Sequence, residues 1–205
     1  MRAFFICMIN ANEQKFRKVI GWITLYNQRI LKGIARRKSL RSAGVRSYHD
    51  LFDLRKYTPQ QRFEIFSRIP GLIEQQVAFE NLTPTVGFAQ ITKAMSGNIA
   101  AIAEIKVNYH ALGTGSTAPA AGDTQLQTEA YRKLLSSQTY ANNKAYYTAF
   151  YTAAEVSGTF DEIGLFINGS AAANSGILWD RSLLHIVKQI TQTLTIDYED
   201  TFSNG

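Results

Sequence analysis

Cysteine is almost absent from this chain of 205 residues. Cys7 is the only one, so no intrachain disulfide and no cysteine-based metal site can form. This composition suits a protein that folds in a reducing cytoplasm. Long apolar runs are also missing, since none approaches the roughly 18 residues that a membrane-spanning helix needs. We therefore expect a globular protein without a membrane partner.

The sequence also lacks a recognisable set of catalytic residues. His49, His110 and His185 lie in unrelated sequence contexts, whereas nucleophilic catalysis needs a base beside its nucleophile. The glycines at 113 and 115 are followed neither by the Gly-Lys-Ser/Thr ending of a P-loop nor by the third glycine of a dinucleotide fingerprint. The acidic residues near 161 and 197 do not have the spacing of a calcium-binding loop. The sequence predicts no enzyme, no cofactor and no metal site.

Charge is present but unevenly placed. Residues 1–80 contain 15 Lys/Arg and 6 Asp/Glu, a balance of +9, whereas residues 81–205 contain 7 and 10, a balance of −3. The two balances add up to the +6 of the whole chain. This asymmetry indicates two functional parts, which we place at residues 1–81 and 83–205.

The first part is predicted to be helical. Its apolar residues recur at steps of three and four over residues 11–38, which favours one long helix; they are Phe16, Val19, Ile20, Ile23, Tyr26, Ile30, Leu31 and Ile34. Thr58 and Pro59 form a helix start, and the helix that follows ends before Pro70. A further helix is predicted over residues 72–81. Residues 1–81 are thus expected to be a basic, helical attachment region.

A basic cluster closes the long predicted helix, and it consists of Arg36, Arg37, Lys38 and Arg41. Three interpretations are open: contact with nucleic-acid phosphates, contact with a membrane surface, or a solvated face that also fits an acidic protein partner. No base-reading motif accompanies the cluster, which favours the third interpretation. Nucleic-acid contact is kept as the alternative.

The second part is predicted to be rich in β-structure. After a boundary at residues 82–85, a short helix is expected over 86–95 and another from Asp123 or Thr124 to Arg132. Alternating apolar patterns predict strands; these are residues 104–110, 145–152, 159–167, 176–184 and 193–198. Strands joined by tight turns favour an antiparallel β-sandwich, so the whole chain is predicted to be α+β. Leu165, Phe166, Leu178 and Leu194 are expected in the core.

Four ordered blocks of the second part are familiar as a set. They follow a small-residue helix at residues 91–101. The first block is ALGTGSTAPA at 111–120 with the DTQL that begins at Asp123, followed by Glu129 and Arg132. The others are EIGLF at 162–166, GILWDR at 176–181 and KQITQTLTIDY at 188–198. This set resembles a domain of tailed-bacteriophage structural proteins whose patterns are ALGTGTTAPA with DTxL, EAGLF, GxLLAR and K…TLTIxY. Trp179 departs from the usual aliphatic residue.

The resemblance covers about the last 120 residues and implies a function in assembly. Such domains occur in tail-fibre, collar and baseplate components, so it implies a virion protein, made in the host cytoplasm, that associates with copies of itself and with other virion proteins. The loop at 113–122 has no charged residue and would pack against a neighbouring copy with little desolvation cost. We therefore predict partner contacts at Gly113, Thr114, Gly115, Thr117 and Pro119. Residues 1–81 have no counterpart in the resemblance.

Overall fold

The computed structural model describes residues 17–27 and 73–202, which form two antiparallel sheets and one α-helix. The strands and the helix are β1 Arg17–Asn27, β2 Ile73–Glu80, α1 Thr85–Met95, β3 Val107–Gly113, β4 Glu129–Leu134, β5 Ser137–Ala141, β6 Lys144–Tyr151, β7 Gly158–Ile167, β8 Ile177–Lys188 and β9 Gln192–Phe202. A single 3₁₀ turn, Ile102–Ile105, lies between α1 and β3.

The strands divide into a five-stranded and a four-stranded sheet. The five-stranded sheet has the order β2-β1-β9-β6-β5, and the four-stranded sheet has the order β4-β3-β7-β8. Every neighbouring pair is antiparallel. The chain crosses between the sheets four times, after β2, β4, β6 and β8.

One apolar cluster contains side chains of both sheets. Ile163 and Leu165 of β7 belong to it together with Leu194 and Ile196 of β9, and all four are fully buried. Alternation along a strand sends successive side chains to opposite faces, which is why every second residue of β7 and β9 joins this cluster. Two of the predicted core residues, Leu165 and Leu194, are thereby confirmed.

The other two predicted core residues are also buried, but on the opposite face of the four-stranded sheet. Phe166 and Leu178 pack there with Ala111 and Leu126. This second cluster exists because chain segments outside the sheet cover that face. The sheet therefore buries apolar side chains on both sides, and its inner strand β7 is buried at every position from Glu162 to Ile167.

The secondary structure of residues 83–202 agrees with most of the sequence predictions. The helix at 86–95 and the last four predicted strands are confirmed, with ends that differ by a few residues. The strand predicted from residue 104 begins only at Val107, because Glu104 accepts hydrogen bonds from the N–H groups of Ala100 (2.7 Å) and Ala101 (3.2 Å) and closes a 3₁₀ turn. The helix predicted to end at Arg132 is wrong: Glu129–Leu134 is strand β4, paired with β3.

The helices predicted in the first part are wrong wherever the structure describes them. Arg17–Asn27 is strand β1, not part of a helix over 11–38, and Ile73–Glu80 is strand β2, not part of a helix over 72–81. β1 is dense in β-branched and aromatic residues, which suit a sheet between two neighbours. The helix predicted from residue 58 and the remainder of the long helix lie outside the described residues.

The sheet does not follow the predicted boundary at residue 82. Strand β1 lies between β2 and β9, so strands from both sides of that boundary share one sheet. The boundary residue Leu82 itself exchanges two backbone hydrogen bonds of 3.0 Å with Arg181 of β8. The division into residues 1–81 and 83–205 stays a prediction.

Candidate functional site

The outer face of the four-stranded sheet is covered by helix α1 and by the loop between β3 and β4. Leu126 of that loop packs with Ala111, Phe166 and Leu178 of the sheet, and Val86 of α1 packs against the same cluster. The uncharged segment predicted as a contact surface, residues 113–122, is part of this loop. Its position is set by polar contacts as well as by apolar packing.

Glu162 of β7 is the centre of those polar contacts. Its side chain is fully buried, and Oε1 accepts hydrogen bonds from the backbone N–H groups of Gly115 (3.1 Å) and Thr128 (2.6 Å). Oε2 accepts from the N–H of Gln127 at 3.0 Å and from Arg181, through Nε at 3.0 Å and Nη2 at 2.9 Å. A buried carboxylate is stable only with such partners, and this one joins both ends of the loop to the sheet.

Arg181 of β8 extends the contacts to the tip of the loop. Its Nη1 lies 2.7 Å from Oδ2 of Asp123, and its Nη2 donates to the carbonyl of Thr117 at 2.9 Å. Asp123 Oδ2 also accepts from the N–H of Ala120 at 2.9 Å. The guanidinium is almost fully buried. Its planar set of donors therefore holds the loop at the Thr117 carbonyl and at the Asp123 side chain, while it also pairs with Glu162 of the sheet. We call Asp123, Glu162 and Arg181 the loop anchor.

Gly113 and Gly115 are small because the loop anchor leaves no room for a side chain. A Cβ at Gly113 would lie 2.6 Å from Glu162 Oε1, and one at Gly115 would lie 2.4 Å from the same atom. Both residues are buried. These two predicted contact residues thus support the loop from within, since neither is exposed to a partner.

The outward side of the loop is exposed and uncharged. Thr114 and Thr117 are exposed, as predicted for contact residues, and Pro119 is half-buried. Between and beyond them lie more exposed small residues; these are Ser116, Ala118, Ala120, Ala121 and Gly122. The four basic residues Arg36, Arg37, Lys38 and Arg41 lie outside the described residues.

A second buried ion pair fixes the loop between β7 and β8. Arg132 and Glu129 of β4 form two short bonds, Nε–Oε1 of 2.7 Å and Nη2–Oε2 of 2.6 Å, and each side chain is 3% exposed. Arg132 Nη1 donates to the carbonyl of Ser175 at 2.8 Å, and the guanidinium lies 3.9 Å from the ring centroid of Phe166. Two loops beside the sheet are thus held by arginine on its outer face.

His110 is a buried residue between the two sheets. Its Nδ1 lies 2.8 Å from the hydroxyl of Tyr151, and its ring packs at 5.8 Å from the rings of Tyr151 and Tyr198. Burial, with a smaller effect from Arg132, lowers the pKa of His110 to about 3, so the imidazole is neutral at pH 7. Burial likewise raises the pKa of Tyr151.

His185 and Lys188 of β8 are placed differently from each other. His185 is exposed and lies 2.7 Å from Asp161. Lys188 is buried, and its ammonium donates to the carbonyls of Val156 (2.6 Å) and Ala153 (3.1 Å). Desolvation lowers the pKa of Lys188, and the carbonyls are its hydrogen-bond partners in the buried site. This lysine ties the segment between β6 and β7 to the sheet.

The three loop-anchor residues belong to the phage-like blocks, but the sequence predicts no contact among them and favours Asp123 only as a possible start of a helix. Asp123 opens DTQL, Glu162 opens EIGLF and Arg181 closes GILWDR. The available signal was the position of Glu162 directly before the apolar segment 163–167 of a predicted strand. Such a residue needs a cationic or N–H partner if the strand is buried.

Within residues 17–27 and 73–202, no group of three or more His, Cys, Asp or Glu side chains is placed to hold a metal ion. In that same part of the chain, no helix combines the length and apolar character needed to cross a membrane. No protein-family model matches the chain, and neither a curated protein nor a solved structure is similar enough to count as a match. The likeness to phage proteins therefore depends on the sequence blocks alone.

Proposed function

We propose that this chain is a structural protein of a tailed-bacteriophage particle, in the tail, the neck or collar, or the baseplate. In this proposal its second part is a β-sandwich domain that contacts copies of itself and other virion proteins, and its first part attaches it to a neighbour. It has no catalytic step and no cofactor. Its place is the virion, after synthesis in the host cytoplasm.

One observation carries the proposal: three of the four blocks that resemble phage proteins come together around one loop. Asp123, Glu162 and Arg181 come from the first three blocks, and their bonds of 2.7–3.0 Å fix the ALGTGSTAPA loop, which belongs to the same block as Asp123. These three blocks are therefore parts of one arrangement, which presents a rigid, uncharged loop at the surface. A preformed surface loses little conformational entropy when a partner binds.

The charged groups within residues 81–202 support an assembly role in a second way. Glu162, Glu129 and Arg132 are engaged in ion pairs and backbone hydrogen bonds that hold loops in place. His110 is neutral and bonded to Tyr151 in the interior. The buried charged groups hold surface loops in place, and His110 connects the two sheets. A structural component needs both kinds of contact.

The test is to look for the chain in particles. Particles produced by the phage or prophage that encodes this chain are purified on a density gradient, and their peptides are quantified by mass spectrometry. We expect a fixed number of copies per particle, greater than one. Purified particles without the chain, or with a variable trace of it, would exclude the proposal.

DNA-free particles distinguish the proposal from its nucleic-acid alternative. Replacement of Arg36, Arg37, Lys38 and Arg41 by Ala is expected to weaken incorporation into particles whether or not DNA is packaged, because the expected partner is an acidic protein. The nucleic-acid alternative instead predicts that the chain is missing from DNA-free particles and that its DNA binding falls steeply with salt. Normal incorporation of the charge-removed variant would mean that the cluster is only a solvated face.

A further inference from the structure

The exposed side of helix α1 is apolar although the helix lies on the surface. Phe88 is 44% exposed and Met95 is 84% exposed. They are seven residues apart and therefore lie on the same side of the helix, roughly two turns from each other. Thr92 lies between them and donates its hydroxyl to the carbonyl of Phe88 at 3.1 Å. With the hydroxyl bonded to the helix backbone, Thr92 has only its methyl group to offer an apolar partner.

This helix face continues into the uncharged loop. The first N–H of α1, at Thr85, donates to the carbonyl of Ala121 at 2.8 Å, so the tip of the loop touches the first turn of the helix. Ala120 and Ala121 are exposed beside it. We call the combined area, Thr85, Phe88, Thr92 and Met95 with Ala120 and Ala121, the helix–loop surface.

The helix–loop surface is rigid because both of its parts are fixed to the sheet. Gly87 lets α1 approach β8 so closely that a Cβ there would lie 3.0 Å from the ring of Trp179 and 3.1 Å from the carbonyl of Leu178. The loop is held by Arg181 and Glu162 as described above. Neither part has to be ordered when a partner binds, which lowers the entropic cost of association.

The charges next to the helix–loop surface are already paired. Lys93, the one charged residue of α1, lies 3.2 Å from Glu104, and Asp123 lies 2.7 Å from Arg181. A partner with charged groups at this surface would bury them without counter-charges, which is unfavourable. The fitting occupant is therefore uncharged over the contact area, and the helix–loop surface of a second copy meets that condition.

We propose that the helix–loop surface binds the same surface of a second copy of this chain across a twofold axis. Near such an axis each residue meets its own equivalent, so a charged surface would repel itself, whereas this one brings Phe88 and Met95 against apolar neighbours. The proposal rests on the self-association in the proposed function and names the surface responsible. It assigns a role to α1, which the sequence did not place at a contact.

The test is the association of the full-length chain in solution. Sedimentation is measured for the wild type, for Phe88→Glu with Met95→Glu, and for Tyr140→Glu as the matched control. Tyr140 is 85% exposed but lies on β5, in the other sheet. We expect dimers for the wild type and the control, and a dissociation constant raised at least about 100-fold in the double variant. Unchanged circular dichroism and thermal unfolding verify that all three chains are folded.

A photo-cross-linking amino acid in place of Thr92 identifies the occupant. Cross-linking of the chain to itself, lost with Phe88→Glu and Met95→Glu, supports the proposal. A wild type that is monomeric up to about 100 µM, a double variant that still dimerises, or a cross-link in particles only to a different virion protein would each overturn it. This outcome is separate from that of the particle test. A virion protein whose copies associate through another surface would be found in particles, but its association would not depend on Phe88 and Met95.

Discussion

The two sheets differ in where their strands come from and in how charge is used. The four-stranded sheet uses β3, β4, β7 and β8, all from residues 107–188, and it carries the buried ion pairs. The five-stranded sheet joins β1 and β2 to β9, and it carries the more exposed pair Lys144–Glu199. The four-stranded sheet thus takes its strands from one range of the chain, and buried ion pairs hold its loops. The five-stranded sheet depends on strands from distant parts of the chain.

This difference assigns different roles to the sheets. Buried charges with several hydrogen bonds each allow one loop geometry and disfavour others, so they suit the sheet that supports the proposed contact surface. Distant strands must close long loops before they gain their pairing energy, so the five-stranded sheet depends more on the whole chain. Three experiments break or sharpen this comparison.

The largest effect is expected from removing β1 and β2. A chain that begins at residue 82 loses two of the five strands and the edge contact between Phe79 and Tyr198, but keeps the whole four-stranded sheet. We expect a cooperative unfolding transition with a Tm lower by about 10 °C or more, measured by calorimetry. We also expect concentration-dependent association, because β9 becomes an open edge.

Two results would contradict the expectation for the shortened chain. Absence of any cooperative transition would show that residues 83–205 do not fold alone and that the division at residue 82 is wrong. An unchanged Tm would show that the pairing of β1 with β9 does not stabilise the protein.

The next effect concerns the loop anchor. Arg181→Met leaves Glu162 buried without its cation, and we expect a loss of about 3–5 kcal/mol in the free energy of unfolding, measured by urea denaturation. The control is Lys144→Met in the other sheet, where Lys144 is 40% exposed and the loss should be below about 1 kcal/mol. Equal losses for the two variants would mean that the sheets do not differ in their use of charge.

The smallest effect is the pH dependence contributed by His110, which joins the sheets. Its pKa falls from 6.5 to about 3 on folding, so its contribution to stability is fully present above about pH 6.5 and is lost as the pH falls toward 3. When the pH is lowered from 7 to 5, we expect the free energy of unfolding of the wild type to fall by about 2 kcal/mol more than that of His110→Gln. Denaturation measured at both pH values checks this difference. Parallel losses in the two proteins would show that His110 is accessible to protons when folded.

The sequence predicted the parts of the fold that local pattern decides. The helix at 86–95 and the strands at 159–167 and 193–198 have clear periods and clear ends. Residues 17–27 were assigned to a helix because Val19, Ile20, Ile23 and Tyr26 also fit three- and four-residue steps. The pairing with β2 and β9 decides that segment, and no local pattern contains partners so far along the chain.

The sequence predicts the uncharged loop at 113–122, but it does not predict the loop anchor that holds this loop in place. An uncharged loop between residues 113 and 122 follows directly from the composition. The loop anchor does not, because it joins β7, β8 and the loop: Glu162 and Arg181 meet only when Gly164 stands opposite Arg181 in the ladder. The sequence therefore predicts Gly113 and Gly115 only as contact residues, and the structure adds that their lack of a side chain makes room for the carboxylate.

The position of β1 between β2 and β9 also sets an order of events during synthesis. Asn27 pairs with Gln192, a separation of 165 residues (192 minus 27). At bacterial and eukaryotic rates of about 5–20 residues per second, the ribosome needs roughly 8–33 s to make that length. Within this interval β1 can pair with β2 once residues 73–80 have been made, but not with β9, so one side of β1 remains an unpaired edge. The five-stranded sheet is completed only once β9 has left the ribosome, and chaperones that bind open strands have that interval in which to act.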